Sequence, residues 1–545
     1  MTGADVLVGI LREQGVTFVS TLCGNGLNPF YVACQEAGLR LVDTRNEQAA
    51  AYMADAYARL TGRIGVCAVS SGIAHVNALS GVVNAYYDGA PLLLISGESD
   101  TAYSGQGKFQ ELDQPALAAP VCKMSACVER VDNLAFQVRQ ALALAQAGRP
   151  GPVHLTIPVD ILEAEVSEEQ AGRGRPLPLA RPCCEGDPEA VREALFWITA
   201  AERPLLVVGS GAFYAKAGAA LARFIELTDI PTVVPIWDRG VVQRQTPQFF
   251  GVIGAASGEP RLLPDCDLLI LVGVRPDYRV GYAQPPALSA SARLVRVEAD
   301  ASELGRGARA DLAILGDPAS VLEAWTELWQ GGRYRPHNRW LKEARRRDAA
   351  FRVPWKTVPP APPMTGRHIV EALRPFLREE TIFLIDGGNI GQWAHMCLAD
   401  GYPEGWLTCG ASAVVGWGVP GAMGARLAYP DRPIILLSGD GAITFTIAEY
   451  ECATRQKLPL VTVLADDQAW GIVVCGQRQR YGPQGVLASR MGPIRYDLVA
   501  EGFGAVGTCI ERPEEIGPAI ARGLAESRPT LIHVPIISAG PADVR

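Results

Sequence analysis

Short apolar runs of strand length alternate with helix-length segments along the whole chain, and this alternation constrains the fold more than any other feature. Parallel strands need a crossover segment between them, so such a pattern predicts repeated strand–helix–strand units. In a first block, Thr17–Leu22, Ile64–Val69 and Pro91–Ser96 read as strands, and the apolar run Val153–Ile157 closes it. Between them Gln48–Leu60 reads as an Ala-rich helix, with Met53 and Tyr57 four apart on one face. A second block offers Pro204–Val208, Asp267–Val274 and Ala292–Val297 as buried strands, a tight Gly209-Ser-Gly211 turn, and a helix over Ala215–Leu227. A third offers Thr381–Ile385, Pro433–Leu437, Leu460–Leu464 and Thr530–Val534 as strands. The polar, Gly/Pro-rich stretches 168–188 and 333–363 read as linkers. At 545 residues the chain is too long for one core, which stops growing at roughly 250–300 residues. It is expected to form three doubly wound α/β domains, at 1–167, 189–332 and 364–545; the first and third share a layout without a sequence repeat.

Charge and composition exclude several classes of function. A net charge of -8, with no Lys/Arg run, argues against nucleic acid and anionic membrane as partners. No stretch reaches the roughly 18 uncharged apolar residues of a membrane span. The first eleven residues carry Asp5 and no basic cluster, unlike a signal peptide. Thirteen cysteines lack any CxxC spacing and the six histidines are scattered, so a zinc site is not expected. Buried free thiols in a reducing cytoplasm are the expectation.

The stretch most informative about chemistry is Ile434-Ile-Leu-Leu-Ser-Gly-Asp-Gly-Ala442, a buried strand running into Gly439-Asp440-Gly441, with a helix expected at about Thr444–Thr454. Such a turn lets backbone N–H groups approach a phosphate. The carboxylate of Asp440 cannot bind phosphate itself, but it can hold a hard cation that bridges to one. A bare Gly-Asp-Gly is usually only a turn. The second half of the pattern changes that reading. After the strand Leu460–Leu464 comes Asp466-Asp467, with Asp467 at 467 − 440 = 27 residues beyond Asp440. One strand–helix–strand unit uses about that many residues. Both carboxylates therefore fall at neighbouring strand carboxyl ends, where open parallel sheets bind ligands.

These motifs resemble the thiamine-diphosphate enzyme signature, Gly-Asp-Gly followed at this distance by Asn-Asn. The resemblance implies a pyrimidine-binding domain, a central Rossmann-like domain and a diphosphate-binding domain. It implies Mg²⁺ held by Asp440, Asp467 and the Ala469 carbonyl, and diphosphate cradled by Gly439, Asp440, Gly441 and Ala442. Asp466-Asp467 departs from the family's Asn-Asn and brings an extra negative charge toward an anionic ligand. In the first block, Val42-Asp-Thr-Arg-Asn-Glu47 leads into the Ala-rich helix, followed by Ser70-Ser-Gly-Ile-Ala-His-Val-Asn77 and Asp88-Gly-Ala-Pro91. Alone, Glu47 could be a first-turn residue favoured by the helix dipole; by resemblance it is the carboxylate that hydrogen-bonds the cofactor's aminopyrimidine ring, and Asn77 joins it among the cofactor contacts. Ala413-Val-Val-Gly416 resembles the stretch that receives the 4′-amino group at Ala413 and wedges the cofactor with Val415, although a core valine fits residue 415 equally well. Asp386-Gly-Gly-Asn389 resembles a further diphosphate loop, with Asn389 as its contact.

Among branches of that family, acetolactate synthase catalytic subunits resemble this chain most. Lys108-Phe-Gln-Glu111 is similar to their Ala-Phe-Gln-Glu, whose Phe and Gln line the substrate site, which implies catalytic roles for Phe109 and Gln110; Lys108, where the family has Ala, is a further substrate candidate. Gly273-Val-Arg-Pro-Asp-Tyr-Arg279 is similar to a stretch whose arginine, here Arg275, is associated with flavin and acceptor binding; a clamp on an acceptor carboxylate is the other reading of Arg275. FAD stays open, because Gly254-Ala-Ala-Ser-Gly258 replaces the family's Gly-Met-His-Gly and Gly-x-Gly after a strand is a weak signal. Gly476 stands where acetohydroxyacid synthases carry a specificity Trp, and Val473 where simple decarboxylases carry a glutamate. The expected reaction is decarboxylation of a 2-keto acid with transfer of the acyl-anion equivalent to a carbonyl acceptor. Alternatives are a 2-hydroxyacyl lyase, a sulfoacetaldehyde acetyltransferase and an oxalyl-CoA decarboxylase; a non-catalytic cofactor-binding member is opposed by Glu47, which scaffolding would not need. The resemblance also implies a homodimer or homotetramer whose sites join the pyrimidine domain of one subunit to the diphosphate domain of another.

Overall fold

The computed structural model describes residues 1–172, 184–242, 245–254, 260–398 and 405–544. Eighteen described strands form three six-stranded parallel sheets. The first contains β1 (Phe18–Leu22), β2 (Arg40–Asp43), β3 (Gly65–Val69), β4 (Leu92–Glu98), β5 (Ser125–Cys127) and β6 (Pro152–Pro158) in the order β2-β1-β3-β4-β6-β5. The second contains β7 (Pro204–Val208), β8 (Thr232–Pro235), β9 (Phe249–Ile253), β10 (Leu268–Val272), β11 (Arg293–Glu298) and β12 (Leu312–Leu315), ordered β12-β11-β10-β7-β8-β9. The third contains β13 (Ile382–Asp386), β14 (Trp406–Thr408), β15 (Ile434–Gly439), β16 (Val461–Asp466), β17 (Val506–Cys509) and β18 (Thr530–Pro535), ordered β14-β13-β15-β16-β18-β17. The first and third sheets thus have the same connectivity, and the second has Rossmann order. Their central strands are buried along their length because helices cover both faces.

Three local expectations differ from what the chain does. The helix expected after Gly-Asp-Gly splits into Asp440–Ile443 and Glu449–Arg455. The stretch 333–363, read as a linker, contains a fifteen-residue helix, Asn338–Arg352. That helix buries Trp340, Leu341 and Ala344 against Leu205, Leu269 and Leu294 of the second sheet; its strongly charged outer face masks the apolar stripe in a composition reading. The first linker region starts with a short capped turn, Glu168–Ala171, and residues 173–183 of it, Cys183 included, lie outside the described residues. Cys34, Cys67, Cys397, Cys409 and Cys452 are buried thiols. Among the described residues no helix is long and apolar enough to cross a membrane.

The helix Glu47–Thr61 organises the molecule. Every residue from Ala49 to Leu60 is buried, as expected for a helix packed on all sides. Its alanines let two other helices approach closely, Ile73–Asp88 and Gly418–Ala428: a Cβ on Gly424 would come within 2.5 Å of the Met53 carbonyl. Phe18, Tyr52, Met53 and Tyr57 consequently share one hydrophobic cluster with Leu384, Trp417, Met423 and Leu436 of the third sheet's domain. Two charged residues, Asp55 and Arg59, lie inside this packing without solvent contact. Arg59 pairs with Asp55 at 3.6 Å and Asp88 at 3.5 Å, and donates to the Thr408 carbonyl at 2.9 Å. Asp55 also accepts from Trp417 Nε1 at 2.9 Å and Asn84 Nδ2 at 2.8 Å. Burial pushes Asp55 up to about 6, with Arg59 opposing that rise.

Removing Arg59 would strand two buried carboxylates. Arg59→Met is expected to destabilise the protein by about 3–5 kcal/mol, the usual cost of breaking a buried ion pair from one side, measured as a lowered urea midpoint. Cutting the exposed pair Arg512–Glu515 by Arg512→Ala should leave the unfolding curve in place.

Candidate functional site

In a parallel sheet, a crevice opens beyond the strand carboxyl ends where the strand order reverses. In the third sheet that point lies between β13 and β15. A cleft lies there, walled by Gly387, Gly388 and Asn389 after β13, by Gly439 at the end of β15 with Asp440, Gly441 and Ala442 beyond it, and by Asp467, Ala469, Trp470, Gly471 and Ile472 after β16, with Val415 and Ile536 alongside. β15 and β16 are direct neighbours, with Gly439 opposite Ala465, so Asp440 and Asp467 stand on adjacent loops as the sequence spacing requires. The cleft therefore brings together Gly439, Asp440, Gly441, Ala442, Asp467, Ala469, Asn389 and Val415. Val415 is half-buried in the cleft wall and is not a core valine.

Local structure explains how these groups are aimed. The Ala469 N–H donates to Asp440 Oδ2 at 3.2 Å, and Asn389 Nδ2 donates to Asp467 Oδ2 at 2.9 Å. Gly471 is required by close approach: a Cβ there would collide with Asp467 Oδ2 and lie 2.8 Å from Asn389. Ala413, beside Val415, adopts φ +55°, a conformation that costs an ordinary residue of order 1–3 kcal/mol and must be imposed by its surroundings. The surroundings come from the first domain. Asp88 accepts from the Ala411 N–H at 3.1 Å, Ser412 Oγ donates to Asn84 Oδ1 at 2.5 Å, and Gly410, at φ +104°, has no room for a Cβ beside Asp88.

The electrostatics of the cleft are unbalanced. Asp440 and Asp467 are both buried, and no Lys or Arg lines the cleft among the described residues. Burial first, and then the neighbouring Asp467 and Asp466 charges, hold Asp440 well above the ordinary carboxylate range; burial likewise raises Asp467. Among the described residues no cluster of three or more His, Cys, Asp or Glu side chains is arranged as a metal cage. Two carboxylates, a backbone position and a glycine-walled space fit a hard cation that takes its remaining oxygens from a phosphate-bearing ligand.

The remaining sequence candidates lie elsewhere on the chain. Glu47 is the first residue of its helix, capped by Asn46, and its Oε2 accepts from Asn77 Nδ2 at 3.1 Å. Gln110 Oε1 accepts from Ser71 Oγ at 3.0 Å, and Phe109 is 65% exposed. Lys108 is held by Glu98 at 3.2 Å and donates to Ser104 Oγ, so it is not a free cation for substrate. None of these residues lines the cleft of its own chain. Sequence reasoning missed Trp470, Gly471 and Ile472 in the cleft wall; their only signal was position, directly after the second acidic motif.

Arg275 lies away from the cleft. It lies in the corresponding crevice of the second sheet with Ser210, Asp238, Arg279, Glu298 and Glu303. Its guanidinium grips Glu303 with two bonds of 2.6 and 2.8 Å, so the clamp expected for an acceptor carboxylate is already closed on a carboxylate of its own chain. The turn after β7, where a dinucleotide's pyrophosphate would need N–H groups, is capped internally: the Ser210 N–H donates to Asp238 Oδ1 at 3.1 Å, and Asp238 pairs with Arg279 at 3.3 Å. The carboxyl of Glu298 is buried in the same crevice and burial pushes it up to about 8. The described residues therefore do not fit a flavin dinucleotide; residues 255–258 of the Gly254–Gly258 stretch lie outside them.

Fold and cleft agree with the relationships of the chain. Residues 1–117 match the thiamine pyrophosphate enzyme N-terminal TPP binding domain, 191–325 the central domain and 386–534 the C-terminal TPP binding domain. The chain belongs to the thiamine pyrophosphate enzyme family. It is 30% identical to 2-hydroxyacyl-CoA lyase 2 of Danio rerio, over 94% of this chain and 87% of that protein. It is 29% identical to the acetolactate synthase isozyme 1 large subunit of Escherichia coli (strain K12), over 98% and 94%. A probable acetolactate synthase large subunit of Methanococcus aeolicus is 26% identical, over 98% and 92%.

Gly471→Ala tests the cleft geometry directly. Its Cβ must displace Asp467 or Asn389, so thiamine diphosphate affinity is expected to fall about tenfold or more, within the range seen when groups supporting a ligand shell are disturbed, while circular dichroism stays unchanged.

Proposed function

We propose that the protein is a Mg²⁺- and thiamine-diphosphate-dependent carboligase that releases CO₂ from a 2-keto acid such as pyruvate and joins the remaining acyl unit to a carbonyl acceptor. The observation that carries this reading is the make-up of the cleft wall. Among the described residues its titratable side chains are Asp440 and Asp467, which are committed to the cation. Val473, 44% exposed on the helix Gly471–Tyr481, offers no proton where decarboxylation to an aldehyde would need an acid.

Each residue then has a defined task. Asp440, Asp467 and the Ala469 backbone hold the cation, and the glycines after β13 and β15 let phosphate oxygens approach backbone N–H groups. Bound there, thiamine diphosphate supplies a carbon that adds to a carbonyl once deprotonated and accepts the electrons of the C–C bond that breaks. Glu47, oriented by Asn77, shares a proton with the aminopyrimidine ring; Val415 shapes the cleft, and Phe109 and Gln110 face the substrate. Because the described residues that line the cleft of one chain include none from its own first domain, this assignment requires Glu47 from a second subunit. The helix face that bears Asn77 supports such pairing, since Ile73, one turn away, is 60% exposed. The flavin is left out of the reaction, in keeping with the Asp238-capped crevice.

A second reading, cleavage of a 2-hydroxyacyl-CoA, is favoured by the relatives that bear that name. The discriminating assay gives the protein Mg²⁺, thiamine diphosphate and either pyruvate or a 2-hydroxyacyl-CoA. Two pyruvates giving one acetolactate and one CO₂ is the expected result; acetaldehyde as the main product would overturn carboligation, and turnover of the thioester alone would establish the lyase. Glu47→Gln should lower turnover by about 10²–10⁴-fold with cofactor affinity kept, and Asp440→Ala should abolish Mg²⁺-dependent cofactor binding in equilibrium dialysis.

A further inference from the structure

Glu47 is the first residue of its helix, so its side chain is aimed by the way that helix begins. β2 ends at Asp43, paired with Thr21 of β1, and three residues, Thr44 to Asn46, lead from there into the helix. Thr44 is tied to the first domain: its N–H and Oγ1 donate to the Thr21 carbonyl at 2.8 and 3.2 Å. Asn46 caps the helix, accepting from the Gln48 N–H at 2.8 Å. Arg45 stands between a strand ladder that has ended and a helix that has not begun, so its buried N–H needs an acceptor from elsewhere. The third domain supplies one. Glu449, the first residue of the helix Glu449–Arg455 and 1% exposed, takes the Arg45 N–H on both carboxyl oxygens, at 2.9 and 3.1 Å, across 404 positions of sequence. Burial pushes this carboxyl up to about 8, but the contact asks only for acceptor oxygens, which a carboxyl keeps whether or not it is ionised. Glu449 does not line the cleft of its own chain. The segment that carries it is fixed beside the cleft, where Thr446 Oγ1 donates to the Gly416 carbonyl at 2.8 Å, one residue from Val415.

We propose that Glu449 is a positioning residue for Glu47: from the third domain it holds the backbone at Arg45, and so fixes where the helix starts and where the Glu47 carboxylate is presented. The inference rests on the reading of Glu47 as the group that meets the aminopyrimidine ring. It makes the diphosphate-binding domain of each chain the anchor for the carboxylate that the same chain lends to a second subunit's cleft.

The test follows hydrogen–deuterium exchange at C2 of thiamine diphosphate bound to the full-length protein in excess Mg²⁺, read by NMR. Glu449→Ala is expected to slow that exchange by about tenfold or more, since a small misplacement of an aligned group can cost about 10²-fold. Cofactor affinity, read by titration calorimetry, should stay that of wild type. Glu449→Gln keeps an acceptor oxygen at the same reach and should restore the rate. Arg455→Ala, which cuts the half-exposed ion pair with Asp43 across the same contact, should leave both readouts unchanged. In the cofactor-free protein, amide exchange of the peptide carrying Arg45 should quicken in Glu449→Ala by up to about tenfold, the scale of one lost hydrogen bond. If Glu449→Ala does not fold, Glu449→Asp, whose oxygens are drawn back by one methylene, carries the same expectations. The proposal is overturned by a Glu449→Ala protein whose C2 or amide exchange matches wild type, or whose cofactor affinity falls in step with the rate. A Glu449→Gln or Arg455→Ala protein as slow as Glu449→Ala overturns it too. Glu47→Gln separates this proposal from the reading beneath it: slow C2 exchange there with a normal rate in Glu449→Ala removes the proposal alone, and a normal rate in Glu47→Gln removes both.

Discussion

Arg59 has no contact with water, and much of the molecule is arranged around that constraint. A buried guanidinium must be surrounded by acceptors, and here they come from different parts of the chain: Asp55 on its own helix, Asp88 on the next one and the Thr408 carbonyl at the end of β14. The central domain joins from the other side, where Arg239 donates to the Arg59 carbonyl at 2.9 Å and to the Trp406 carbonyl at 3.0 Å. Because Asp55 and Asp88 also hold Trp417 and the Ala411 N–H, the same polar knot fixes both ends of the loop that carries Ala413 and Val415. A first-domain ion pair thereby shapes a third-domain cleft.

The second and third sheets show how one topological position can be used in opposite ways. Each has a crevice at the carboxyl ends of its central strands. In the third sheet the crevice is walled by glycines and by two carboxylates, with no Lys or Arg among the described residues that line it, which leaves charge to be balanced from outside. In the second sheet Arg275 and Arg149 pair with Glu303 and Arg279 pairs with Asp238, so the charges close on one another. Arg149 comes from the loop before β6 and accepts its place there through Asp300, which takes its backbone N–H at 3.2 Å. The second crevice thus joins domains, while the third remains a site.

The sequence by itself determined the three parallel-sheet domains, because buried central strands must be continuous apolar runs and their crossovers must be helical. It also determined the pairing of Asp440 with Asp467, since 27 residues is the length of one strand–helix–strand unit and places both at adjacent strand ends. The half-exposed edge strands β2, β5, β12 and β17 lack such runs and were not legible. Tertiary structure alone decided the partners of charged groups. That Glu303 occupies Arg275, that Asp238 caps the turn after β7, and that His533 meets Asp466 are contacts made across neighbouring strands or loops, between residues 28, 28 and 67 positions apart. Local pattern records whether a residue is buried and which way it points, but a charge is neutralised by whatever the folded chain brings beside it, and that is a property of strand order and packing.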